Sequence, residues 1–107
     1  MDIRIIKSPS AGTVDILLRR KGSDRNTLPP YGVDAVGLIQ GKMIEMVVAS
    51  DIAEKATGVT VEDIKGSCPQ NMILLAIFGD TASVESALAQ IRQEVQGGTR
   101  YTCLQQN

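Results

Sequence analysis

Apolar residues recur along this chain with two spacings, and the spacing names the element at each stretch. Asp2 to Lys7 reads as a short strand with Ile3, Ile5 and Ile6 as its apolar members. Ser8-Pro9-Ser10-Ala11-Gly12 is turn chemistry. Thr13 to Arg20 then reads as a second strand, with Val14, Ile16 and Leu18 on one face at period two and Asp15, Leu17 and Arg19 on the other. Gly22 to Gly32 is a loop, because Pro29-Pro30 cannot donate to a strand ladder. Val33 to Gln40 is a third strand, apolar enough to lie centrally in a sheet. Lys42 to Thr57 is helical, and its apolar stripe is Ile44, Val47, Val48, Ile52 and Ala56; Gly58 stops it. Thr60 to Lys65 and Met72 to Phe78 are strands flanking a turn that contains Gly66, Cys68 and Pro69. Asp80 or Thr81 caps a second helix, where Val84, Leu88, Ile91 and Val95 recur at i, i+4, i+7 and i+11 until Gly97-Gly98. Thr99 to Leu104 reads as a last strand.

The predicted order is β-β-β-α-β-β-α-β, and residues 33–95 make most of a split β-α-β unit. This is an α+β class with ferredoxin-like architecture: an antiparallel or mixed sheet carrying its two main helices on one face. The other sheet face then needs cover, which the reading assigns to another subunit. One domain spans residues 1–107, divided into N-terminal strands and loop (1–32), core (33–95) and C-terminal strand with tail (96–107).

Composition narrows the function classes. The chain of 107 residues carries 11 Lys plus Arg against 12 Asp plus Glu, so it has no field to steer a polyanion. The one basic cluster, Arg19, Arg20, Lys21 and Arg25, reads as a solvated turn; no nucleic-acid partner is expected. The longest apolar run, Met72 to Phe78, is far short of the ~20 residues that a membrane span needs. No membrane partner is expected, and with no signal-like N-terminus a cytosolic setting with reduced thiols is. Histidine is absent, which removes Ser-His and Cys-His nucleophile systems and the commonest metal ligand. No carboxylate pair at motif spacing and no phosphate-binding glycine loop replaces them, so an enzyme is not expected. The cysteines are Cys68 and Cys103 alone. Two thiolates cannot close a four-thiolate metal site, so any such site must be shared between copies of the chain or use unusual ligands. Cys103, in the predicted last strand with Tyr101 and Leu104, reads as structural.

Two stretches resemble the bacterial microcompartment (BMC) shell domain. One is Ala35-Val36-Gly37-Leu38-Ile39, followed by a small-residue helix ending Ala53-Glu54-Lys55-Ala56-Thr57-Gly58-Val59. The other is Ile73-Leu74-Leu75-Ala76-Ile77-Phe78, then Gly79-Asp80 and Val84-Glu85-Ser86-Ala87-Leu88. The usual family member begins near its Ala-Val-Gly strand. Here residues 1–32 precede it, which resembles the circularly permuted branch. That branch gathers N-terminal strands such as Asp2 to Lys7 into a small barrel over one pore mouth. The turn Gly66-Ser67-Cys68-Pro69-Gln70 resembles that of U-type shell proteins of glycyl-radical propanediol compartments, which are associated with an iron–sulfur cluster.

The resemblance implies a homohexameric tile in a bacterial microcompartment shell in the cytoplasm, with other shell proteins as partners. It places Cys68 at a central pore whose rim is shaped by Gly66, Ser67, Pro69 and Gln70, and Lys55 at the hexamer edge. A ring turns one pore thiol into six. One 4Fe-4S cluster per hexamer, shared between subunits through Cys68, is then the implied cofactor. Without the resemblance, the same β-α-β-β-α core also suits a small ligand-sensing module that holds no metal.

Overall fold

Seven elements follow one another in the computed structural model, which describes residues 1–20, 33–65 and 72–97. They are β1 (Asp2–Lys7), α1 (Ala11–Arg19), β2 (Ala35–Lys42), α2 (Met43–Lys55), β3 (Val59–Ile64), β4 (Met72–Gly79) and α3 (Thr81–Gly97). The predicted last strand, Thr99 to Leu104, lies outside the described residues.

The strands form one sheet in the order β1-β2-β4-β3, and every pairing is antiparallel. The two most apolar strands, β2 and β4, are therefore central. Their register (Ala35 opposite Gly79, Lys42 opposite Met72) sends alternate residues to two faces. Ala35, Ile39, Leu75 and Ile77 meet Met46, Ala49, Ile52 and Ala53 of α2 and Val84, Leu88 and Ile91 of α3. These two helices share one face, as expected. β1 pairs with β2 along its whole length, so it serves as the sheet's edge here.

The reading of Thr13 to Arg20 as a strand is overturned: the segment is the helix α1. The Ser10 hydroxyl accepts from the Thr13 N–H at 3.2 Å and caps it. In a helix the apolar set becomes Val14, Leu17 and Leu18, at i, i+3 and i+4, and Ile16 is left 50% exposed. Leu17 packs on Val36, Ile64, Ala76 and Phe78, the second face of the sheet. That face was expected to be covered by another subunit. The chain's own helix α1 covers this part of it.

The predicted stripe on α2 also needs correction. Ile52 is buried, but Ile44 and Val47 are 76% and 62% exposed. The buried side consists of Met46, Ala49, Ile52 and Ala53. The helix is apolar nearly all round, so periodicity alone could not choose its inner face.

Gly58, at φ +81, lets α2 turn into β3. At the same corner a Cβ on Gly79 would lie 2.5 Å from the Gly58 carbonyl oxygen. Asp80 caps α3, as one of the two predicted candidates: it accepts from the Ser83 N–H at 3.0 Å and from the Ser83 hydroxyl at 2.6 Å. These bonds, the hydroxyl's above all, hold its carboxyl below the usual carboxylate range.

Candidate functional site

Antiparallel pairing gives the sheet two distinct ends. At one, α2 finishes, β3 starts and β4 finishes, with Val59 opposite Gly79. At the other, β3 finishes and β4 starts; their last pair is Ile64 with Leu74. The connection between them carries Gly66, Ser67, Cys68, Pro69 and Gln70. These five residues, and Cys103, lie outside the described residues. What surrounds the base of the connection is described.

β4 runs past β3 along β2 as far as Met72 opposite Lys42, and α2 starts at the next residue, Met43. Met1 stands close by, since a Cβ on Gly41 would meet the Met1 Cα at 3.6 Å. The C-terminus of α1 reaches the same end. The Arg20 carbonyl accepts from the Lys65 N–H at 2.6 Å, which ties α1 to the root of the connection. Two exposed ion pairs flank it, Arg19 with Asp15 at 3.3 Å and Lys65 with Asp63 at 3.8 Å. Exposed pairs of this kind contribute little to stability.

This end of the molecule also exposes apolar surface. Met43, Ile44 and Val47 are 50%, 76% and 62% exposed, and Met1 and Met72 are more than one-third exposed. On α2 the three residues fall at i, i+1 and i+4 and form one patch turned away from the buried face. At the same end, between β1 and α3, an open groove of about 350 Å³ is lined by Met1, Ile3, Leu88, Ala89 and Arg92. Sequence reading placed Ile44 and Val47 inward and did not single out this groove. The available signal was the all-round apolar character of α2, which calls for more partners than one sheet can provide.

Lys55 closes α2 at the opposite end of the sheet, so it stands apart from the connection that bears Cys68. Its ammonium pairs with Asp51 at 2.7 Å, one helical turn back. Beside it a shallow depression is bordered by Ala56, Thr57, Ser83, Ser86 and Gln90. Among the described residues, no group of three or more His, Cys, Asp or Glu side chains could hold a metal ion.

Residues 35–104 match the family model of the BMC domain, so β1 and α1 precede the matched span. No curated protein matches the chain. Among solved structures, the chain is similar to the ligand-free GrpU microcompartment shell protein from Clostridiales bacterium 1_7_47FAA. The two are 58% identical over 92% of this chain and 95% of that one, with a TM-score of 0.70. It is also similar to the ligand-free GrpU microcompartment shell protein from Pectobacterium wasabiae. That pair is 35% identical over 85% of this chain and 99% of the other, again with a TM-score of 0.70.

Proposed function

The chain belongs to the BMC domain family, and from that premise we propose that it is a microcompartment shell tile that assembles as a homohexameric ring around a pore. Its role is structural and not enzymatic, in the shell of a compartment in the bacterial cytoplasm, beside other shell proteins. The family assignment displaces the sensing-module alternative.

The observation that carries the assembly is the apolar patch Met43, Ile44 and Val47. A small domain that leaves such a patch in water has a surface awaiting a partner. The patch lies at the end of the sheet where the β3–β4 connection hangs. Contact there would bring copies of that connection together about an axis. In this reading Gly66, Ser67, Pro69 and Gln70 form the pore rim, and Cys68 faces the axis. β1 and α1 ahead of the matched span support the permuted arrangement.

One thiolate per chain becomes a usable donor set only in the ring. Cys68 thiolates from several subunits would hold one 4Fe-4S cluster per ring. The residue before a proline is biased toward extended geometry, which suits a thiol presented at a rim. Such a cluster, when bound, supplies a one-electron carrier. Lys55, at the opposite end of the sheet, is placed in this reading on the outer edge, where tiles meet.

The test is an anaerobic preparation measured for mass, iron and sulfide together. The expected mass is six times 11.4 kDa. The expected iron is about two-thirds of an atom per chain, four irons shared by six chains. Cys68→Ser should remove iron and brown colour and leave the mass unchanged; Cys103→Ser should change neither. Iron-free protein after anaerobic reconstitution refutes the cofactor, and a monomer at high concentration refutes the tile.

A further inference from the structure

We propose that Thr99 to Leu104 adds to the outer edge of β1 as a fifth strand, parallel to β1, and closes the groove between β1 and α3. The placement rests on the fold of one chain and not on the ring.

β1 is an edge strand: among the described residues only β2 pairs with it. The groove lined by Met1, Ile3, Leu88, Ala89 and Arg92 opens beside it. An open edge invites pairing with another chain, and folded proteins close or cover such edges. Ten residues follow α3, and the span that matches the BMC domain runs on past the helix to residue 104. Thr99 to Leu104 is six residues long, as β1 is.

The direction of the added strand follows from α3. β4 runs from Met72 to Gly79, and α3 runs back from there. Its 17 residues reach about 25 Å, the length of an eight-residue strand such as β4. Ala89 and Arg92 already border the groove with Met1, so α3 ends where β1 begins. A strand that returns from Gly97 therefore runs the same way as β1. Parallel neighbours need a crossover of a dozen or more residues, and α3 is that crossover.

The side follows from handedness. β2 and β3 are both antiparallel to β4, which lies between them, and α2 connects them over one face. Crossovers of this kind are right-handed in nearly all proteins. α3 lies on the same face as α2, but it leaves from β4, which runs the opposite way. A right-handed crossover from β4 must then move to the opposite side of the sheet, toward β2 and β1. β1 holds the position beside β2, and the next position is the outer edge of β1.

The residues suit that position. Alternation puts Thr99, Tyr101 and Cys103 on one face of the strand and Arg100, Thr102 and Leu104 on the other. Threonine and tyrosine are favoured on a pleated, half-buried surface. With the first set turned toward α3, the Tyr101 ring lies in the groove against Leu88 and Ala89. Cys103 then stands beside Lys7, which reaches Glu85 of α3 at 3.5 Å. Lys7 is opposite Ala35, at the end of the sheet away from the Cys68 connection. The length of the sheet separates the two thiols, so Cys103 cannot join the Cys68 of its own chain in one cluster.

The experiment uses the full chain with Cys68→Ser, which leaves Cys103 as the one native thiol. Lys7→Cys or Arg4→Cys then adds a second thiol at an exposed position of β1. Lys7 shares the α3 face with Cys103, whereas Arg4 is on the other face and three residues nearer the Cys68 end. A thiol crosslinker spanning about 5 Å, the spacing of adjacent strands, is expected to join Cys103 to the Lys7→Cys thiol within one chain and to leave the Arg4→Cys thiol free. The mass of the denatured product reads the outcome. Equal crosslinking at both positions, or at neither, overturns the placement. So do crosslinks between two chains, because the edge then holds a second copy.

Hydrogen exchange supplies a second readout. Alternate residues of a strand turn their N–H groups to opposite sides, so a second partner about doubles the protected amides of β1. Slow exchange is expected along all of β1 in the unaltered chain, and Thr102→Pro should release about half of those amides. Fast exchange at alternate residues of the unaltered chain, or slow exchange that survives Thr102→Pro, overturns the proposal. Neither result touches the tile reading, which the mass of the assembly decides.

Discussion

Replacing Leu17 with alanine tests how the second face of the sheet is covered. Leu17 is 8% exposed and touches Val36, Ile64, Ala76 and Phe78. Ile16, its neighbour, is 50% exposed. A buried Leu→Ala change costs about 2–5 kcal/mol, rising with the cavity left behind. Here the lower half of that range applies, because the cluster is small and α1 can settle toward the sheet. Leu17→Ala should therefore cost about 2–3 kcal/mol. Ile16→Ala should cost less than ~0.5 kcal/mol, since its side chain already meets water. With a urea slope of about 1–3 kcal/mol per molar, the Leu17 change moves the midpoint by roughly 1 M or more. That is a large part of the ~5–15 kcal/mol available to a domain of this size. The assay is urea unfolding of both variants with hydrogen exchange across residues 11–20, where Leu17→Ala should strip protection from α1. Had the segment been a strand, Ile16 would face inward with Val14 and Leu18, and Leu17 would face out. A larger loss from Ile16→Ala than from Leu17→Ala would refute the helix and its packing together.

The corner between α2 and β4 should tolerate no side chain. Gly58→Ala is expected to cost about 1–3 kcal/mol by thermal unfolding, because it forces a Cβ at φ +81 and 2.7 Å from the Ser83 hydroxyl. Gly79→Ala should cost at least as much, since the obstructing atom is a backbone carbonyl that cannot rotate away. Asp80 sets part of the acid limb of stability. Its folded carboxyl lies below the ordinary value of 3.8, so its contribution is complete above that pH and is lost as pH falls through the lower folded value. Ser83→Ala should flatten stability against pH below that point and leave the neutral-pH slope unchanged, as read from unfolding midpoints across an acid series. Lys55→Ala removes an exposed i,i+4 pair and should cost under ~0.5 kcal/mol. By electron microscopy the same variant should still form rings but no extended sheets, if Lys55 joins tiles.

Much of the central fold was legible in residue order. Val84, Leu88, Ile91 and Val95 repeat over three turns, and that length excludes a strand. The runs in β2 and β4 are long and apolar, so both were legible as strands, and the central place of β2 followed as well. The chemistry of the Cys68 connection was legible only as a resemblance and as a ligand count. A lone thiol has no periodic signature, and its partners in the proposed site belong to other copies. Arg20 at the root of the connection was invisible in sequence, because 45 positions separate it from Lys65, whose N–H it accepts.

By itself, residue order determined which stretches are apolar, how long they run and where glycine and proline interrupt them. It could not determine which side of a stretch faces inward when two spacings fit equally well. From Val14 to Leu18, period two and period 3.6 each collect apolar residues, and the Ser10 cap with the Leu17 seat on the sheet decided between them. In α2 apolar residues surround the axis, and strand pairing between residues far apart in the chain chose Met46, Ala49, Ile52 and Ala53 as the inner set. The tertiary structure alone left Met43, Ile44 and Val47 outside, because one sheet face can bury only one side of a helix.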